Sequence, residues 1–163
     1  MKTKRITELS LLTSAALIVF IIEMRLPNLS PVQGVKLGLA NIFTVYAVYR
    51  FSGKEVLLMV LVRVFLGAVL SSNFSALIYS MSGALLCLAG MLLLKRIIPE
   101  NYLWLCSIFG AIFHNIGQVV AAVAVMKTIA VITYLPIFII TSCVAGLFTG
   151  LSAQFILKRI NRK

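Results

Sequence analysis

The chain contains no aspartate, and its only carboxylates are Glu8, Glu23, Glu55 and Glu100. That shortage excludes much chemistry. Acidic clusters for magnesium–diphosphate cannot be built, and no paired acids lie inside an apolar run to couple proton movement. The three cysteines, Cys87, Cys106 and Cys143, lack a C-x-x-C spacing and sit in apolar stretches. They read as buried, unreactive thiols. A single histidine, His114, has no second histidine, cysteine or acid nearby, so no metal site is expected. There is no Gly-x-x-x-x-Gly-Lys-Ser/Thr loop, so the chain cannot supply a nucleotide-hydrolysing centre of that type. No cofactor is implied. Nothing in this inventory supports catalysis.

Apolar residues are plentiful. They make up 61% of the 163 residues, and the mean hydropathy is +1.08. Ordinary soluble domains are roughly 45–50% apolar. Residues 1–163 read as a single transmembrane helical domain. A spanning helix needs about 20 apolar residues, and six segments meet or approach that length: residues 9–24, 37–49, 56–71, 74–94, 102–125 and 129–157. The second is short. The sixth exceeds one span, and Pro136 predicts a break or kink near its start. The N-terminal run reaches Glu23 without a small-x-small cleavage site and reads as a retained first helix rather than a signal peptide.

The net charge of +11 would suggest nucleic acid in a soluble protein. Here the basic residues lie between apolar runs. Lys2, Lys4, Arg5, Arg50, Lys54, Lys95, Arg96, Lys158, Arg159, Arg162 and Lys163 fall on one side of the predicted bundle. Only Arg25, Lys36 and Lys127 fall on the other. The positive-inside rule then places both termini in the cytoplasm. The expected fold is an all-α membrane protein, a compact bundle of six transmembrane helices. Lipid is a partner by construction; nucleic acid is not expected.

Arg63 remains, near the middle of the third apolar run. A charge at that depth costs at least about 2.5–3.5 kcal/mol on insertion scales. Two readings fit: it faces a bound anion, or it bonds to carbonyls of a neighbouring helix. Gly67 and Ser71 follow at i+4 and i+8 on nearly the same face, which leaves room for a ligand or a close helix. Lys36, Gly38 and Asn41 open the second segment, where backbone donors and the positive helix end favour an anion. Lys36 equally reads as an interface anchor. His114, Asn115 and Gln118 form the other polar cluster, facing inward either to hydrogen-bond a ligand or to tie helices together. Ser71, Ser72 and Asn73 could complete a site rim or be a short polar turn. Residues 25–36, with two prolines and a glycine, suit a lid. Glu23 is positioned to pair with Arg25, Lys36 or a ligand ammonium. Gly146 and Gly150 form a G-x-x-x-G pattern, which predicts close packing of the sixth helix.

The stretches Gly34-Val-Lys-Leu-Gly-Leu-Ala-Asn41, Val62-Arg-Val-Phe-Leu-Gly67 and Phe113-His-Asn-Ile-Gly-Gln118 resemble the family called heptaprenyl diphosphate synthase component I, or Gx transporter. The resemblance runs in order over nearly the whole chain. That family is similar to the substrate-binding S components of energy-coupling factor (ECF) transporters. The resemblance implies an S-component-like bundle in the bacterial cytoplasmic membrane, with an outward-opening pocket. It implies a coupling membrane subunit and two cytoplasmic ATPases as partners. It also implies import of a small anionic or amphipathic compound, such as a prenyl or quinone-related precursor. Substrate-binding residues carried over are Lys36, Asn41, Arg63, His114, Asn115 and Gln118; Asn73 joins the expected site from the rim reading alone. The alternative is a noncatalytic membrane subunit of polyprenyl diphosphate synthesis or of a membrane redox system. The Ala-x-x-x-Ala pair common in S components is not present: Val19 follows Ala15, and Phe20 follows Ala16.

Overall fold

The structure is a computed structural model that describes residues 2–25, 39–71 and 75–161. Helices account for most of the described chain: α1 (Lys2–Arg25), α2 (Asn41–Arg50), α3 (Gly53–Leu70), α4 (Ser75–Leu94), α5 (Leu103–Met126) and α6 (Leu135–Asn161). Short 3-10 turns, Glu100–Tyr102 and Ile129–Tyr134, lead into α5 and α6. No strand occurs among the described residues. The all-α expectation therefore holds.

The six predicted segments all contain a helix, but the helices are not of one kind. Stretches Thr3–Glu23, Leu77–Leu94, Glu100–Met126 and Ile129–Ile160 are long and apolar enough to cross a membrane. α2 has only 10 residues, about 15 Å at 1.5 Å per residue, roughly half of a ~30 Å hydrocarbon layer. α3 has 18 residues but carries Lys54, Glu55 and Arg63. The first helix starts earlier than its apolar run, because Lys4 and Arg5 continue it into the polar zone. Pro136 marks a break rather than a kink. It is the second residue of α6, where a missing N–H is tolerated because the first turn has no intrahelical partners.

α2 sits at the centre. Thr44, Val45, Tyr46, Ala47 and Val48 are all buried in succession. Five consecutive residues cover every face of a helix, so α2 is enclosed all round. It touches α1, α3, α4, α5 and α6. Around it, α4, α5 and α6 pack most heavily on one another, while α1 leans on α2 and α3. Val45, Val48, Met59, Met91, Leu103 and Cys106 lie in the shared core. The outer flanks expose large apolar side chains such as Ile140, Val144, Phe148 and Phe155. That is a surface suited to hydrocarbon and not to water.

Small residues set the α4–α5–α6 seams. A Cβ added at Gly117 would lie 2.8 Å from the Ser82 carbonyl oxygen. The Ser82 hydroxyl donates to the Gly117 carbonyl at 2.9 Å. A Cβ at Gly146 or Gly150 would lie 2.6 Å from the Cα of Ile108 or Trp104. The G-x-x-x-G pattern thus packs α6 onto α5, beside a hydroxyl bond between Ser107 and Thr149 at 3.0 Å.

Polar ties gather the basic helix ends at one end of the bundle. Arg5 pairs with Glu55 at 2.8 Å and Arg50 with Glu8 at 3.9 Å. The Lys95 ammonium donates to the Val48 carbonyl at 2.6 Å, and the Tyr49 hydroxyl to that of Ile98 at 3.2 Å. The Gln154 amide donates to the Asn101 carbonyl at 2.8 Å. These bonds bring together the start of α1, the α2–α3 junction, the end of α4, the start of α5 and the last third of α6.

Two outcomes follow. Gly150→Ala pushes against the Trp104 backbone and is expected to lower stability by about 1–3 kcal/mol, the usual range for overpacking. Gly53→Ala meets only the flexible tip of Leu92, at 3.2 Å, and should leave the thermal midpoint in detergent unchanged. Glu55 lies just before the apolar run. Its carboxylate accepts from the Ser52 hydroxyl and N–H and then from Arg5, which holds it below its ordinary value of 4.5. A depressed folded-state value stabilises above the unfolded one, and that support is lost as pH falls through the folded value. Glu55→Gln should therefore flatten part of the fall in midpoint below about pH 4.5, read by acid titration of the unfolding curve.

Candidate functional site

Arg63 projects from the middle of α3 toward the start of α2 and is only 7% exposed. One terminal nitrogen, Nη1, donates to the Ala40 carbonyl at 3.2 Å, to Asn41 Oδ1 at 3.3 Å and to Thr44 Oγ1 at 3.2 Å. The other, Nη2, donates to Asn41 Oδ1 at 3.4 Å. All of these oxygens belong to the first turn of α2 or the residue before it, and all are neutral. The bonds lie at or beyond the long end of the usual N–H···O range. Asn41 and Thr44 can both reach because residues three apart share a helix face.

Other elements converge on the same guanidinium. Glu23 near the end of α1 is buried, and Arg63 interacts electrostatically with Glu23, with Cys87 of α4 and with His114 of α5. Each of the first five helices therefore brings a polar or polarisable group toward one point. The start of α2 adds its own field. Its first N–H groups have no intrahelical acceptor, and the dipole end is positive. The guanidinium and the positive end of α2 thus meet at a layer of neutral oxygens, with the Glu23 carboxylate also acting on Arg63.

Several expectations are refined by the geometry. The room beside Gly67 is occupied by a close helix: a Cβ there would lie 2.8 Å from a ring carbon of Phe20 on α1. Ser71 donates to the carbonyl of Ala68 in its own helix at 3.2 Å. The polar trio on α5 divides. His114 and Gln118 face α4, where a Cβ on Gly83 would meet His114 Cε1 at 3.1 Å and Gln118 Cγ at 2.8 Å. Asn115 turns to α6, donating to the Phe138 carbonyl at 3.2 Å and the Ser142 hydroxyl at 2.6 Å. Both of its donors tie helices together. Neighbouring positions on a helix point about 100° apart, so three close residues cannot share one target. Ala16 on α1 is fully buried, while Ala15 is half-buried. Lys36, Asn73 and the lid expected over residues 25–36 lie outside the described residues, apart from the backbone of Arg25.

Thr44 was not foreseen. Its signal was available: it follows Asn41 by one helical turn inside an apolar run. Cys87 and Cys106 are buried and Cys143 half-buried, all without disulfides, as their apolar surroundings implied.

A family model described as heptaprenyl diphosphate synthase component I matches residues 12–156. The chain belongs to that family. No curated protein and no solved structure matches it. Within the component I match lie Asn41, Thr44 and Arg63 as well as His114, Asn115 and Gln118.

Thr44→Val removes one of the three oxygens that share the two Nη1 protons of Arg63. A hydrogen bond to a charged group is worth about 1.5–3 kcal/mol. The expected result is a lower thermal midpoint in detergent. In an Arg63→Met background the same change should cost much less, because residues in one network are not additive.

Proposed function

We propose that this component I protein is a six-span membrane bundle with both termini in the cytoplasm, and that it binds a small anionic or amphipathic organic compound at the outer end of α2. Its role is the substrate-binding subunit of an ECF-type importer. The single observation that carries this reading is a buried Arg63 set against the start of a helix that covers only half the membrane. The inner end of α2 is tied at the basic end of the bundle by Lys95 and Tyr49. At 10 residues its other end therefore lies near mid-depth. Short helices whose positive ends point at an anionic group near the bilayer midplane are a recurring way to build a transport site. A negative head group here would gain from Arg63 and from the α2 dipole together, while Asn41 and Gln118 offer neutral hydrogen bonds. Apolar walls suit the rest of such a molecule.

The mechanism is capture rather than chemistry. No aspartate is present to hold magnesium–diphosphate, and no nucleotide loop supplies energy. A coupling membrane subunit and ATPases would have to provide the drive. A second reading is supported by the family description itself: a noncatalytic membrane subunit for polyprenyl diphosphate synthesis, in which the same cationic end holds a diphosphate head group.

Ligand screening by thermal shift tests the site. A true ligand at 100 times its Kd should stabilise the parent by about 2.7 kcal/mol, and Arg63→Ala and Lys36→Ala should lose most of that shift. An equal shift in both variants would remove the site assignment. Copurification separates the roles: a coupling subunit with ATPases supports the importer, a soluble prenyl synthase the second reading.

A further inference from the structure

The basic end of the bundle holds more positive charge than its own acids can answer. Arg5 pairs with Glu55 and lies over the Phe51 ring, 5.7 Å from its centroid. Arg50 pairs with Glu8. Lys95 is held by the Val48 carbonyl and lies over the Tyr49 ring at 5.9 Å. Lys54, Arg96, Lys158 and Arg159 are exposed, and among the described residues none of them pairs with an acid.

The setting of these four cations repeats. Leu57 and Leu58, three and four residues after Lys54, are exposed at 37% and 58%. Leu93 and Ile97, around Arg96, are exposed at 64% and 79%. Phe155 and Ile156 stand one helical turn before Lys158 and Arg159, at 67% and 41%. Helix direction matters here. α3 runs away from the basic end, and α4 and α6 run toward it. For Lys54, Lys158 and Arg159 an exposed apolar side chain therefore sits one turn deeper than the cation, on a shared helical face; Arg96, two residues past the end of α4, has exposed Leu93 before it. Tyr102, an interface-favouring residue, is exposed at the same end.

We propose that this rim binds anionic phospholipid, with the head group on Lys54, Arg96, Lys158 or Arg159 and the acyl chains along the apolar side chains beneath. A soluble acidic protein would find the charge but would have no use for the apolar flank. A lipid with a negative head uses both. The cations also stand on α3, just past α4 and on α6, so they are spread over several elements and not gathered on one helix. Attraction of this kind adds binding strength for each Lys or Arg near an anionic surface and weakens with salt.

The test titrates the full chain, in neutral detergent, with dioctanoyl phosphatidylglycerol and reads the thermal midpoint. A saturable rise that shrinks in about 0.5 M salt, where the Debye length falls to roughly 4 Å, is expected, with dioctanoyl phosphatidylcholine giving little. The Lys158→Gln/Arg159→Gln variant should need roughly 30-fold more phosphatidylglycerol, about 5-fold per cation. Lys54→Gln/Arg96→Gln serves as an independent second variant. Equal response to both lipids, or parent-like titration by both variants, overturns the proposal. So does an equal rise with a short polyglutamate peptide, which would mark an acidic protein as the partner.

Discussion

The arrangement of this bundle depends on where one guanidinium finds its oxygens. Arg63 is buried in α3, and its donors end on Ala40, Asn41 and Thr44. An unmet guanidinium in an apolar interior is far more costly than any one packing contact. The first turn of α2 must therefore sit beside the middle of α3. That requirement makes α2 central, and its 10 residues are about half of what a full membrane crossing needs. The binding reading and the position of the short helix are consequences of the same bonds.

The rest of the molecule divides into two kinds of packing. α4, α5 and α6 approach through glycine and hydroxyl seams at Gly83, Gly117, Gly146 and Gly150. Apolar contact alone gives little preference for helix over lipid, so close backbone approach and hydrogen bonds carry association there. α1, α2 and α3 use polar ties instead: Arg5 to Glu55, Arg50 to Glu8 and Arg63 to the start of α2. A close-packed slab thus faces a polar, less extensively packed trio, and α2 touches both. Arg63, Asn41 and Thr44 meet where α3 and α2 adjoin.

Much of this was readable before any coordinates. Apolar runs marked where each helix lies, though α1 starts seven residues earlier and α6 six residues later than its run. Gly146 with Gly150 marked a tight seam. Arg63 and Asn41 stood out by being polar where polarity is costly, and the structure brings them together. Other features were not readable. His114, Asn115 and Gln118 looked like one cluster by spacing, yet Asn115 faces α6 while the other two face α4. The gap beside Gly67 is filled by Phe20, a residue 47 positions earlier.

By itself the amino-acid order determined what each segment must do with its own surface: form helix, meet hydrocarbon, keep its cations at the ends and hide one arginine. Those outcomes follow from transfer energies and backbone hydrogen bonding, which act locally. Only the tertiary structure decided who answers whom. Which helix shelters Arg63, which seam takes Asn115 and why α2 lies inside the ring are set by distances between segments far apart in the chain. No periodicity carries that information, because a helix reports which of its faces is polar and not which neighbour will cover it.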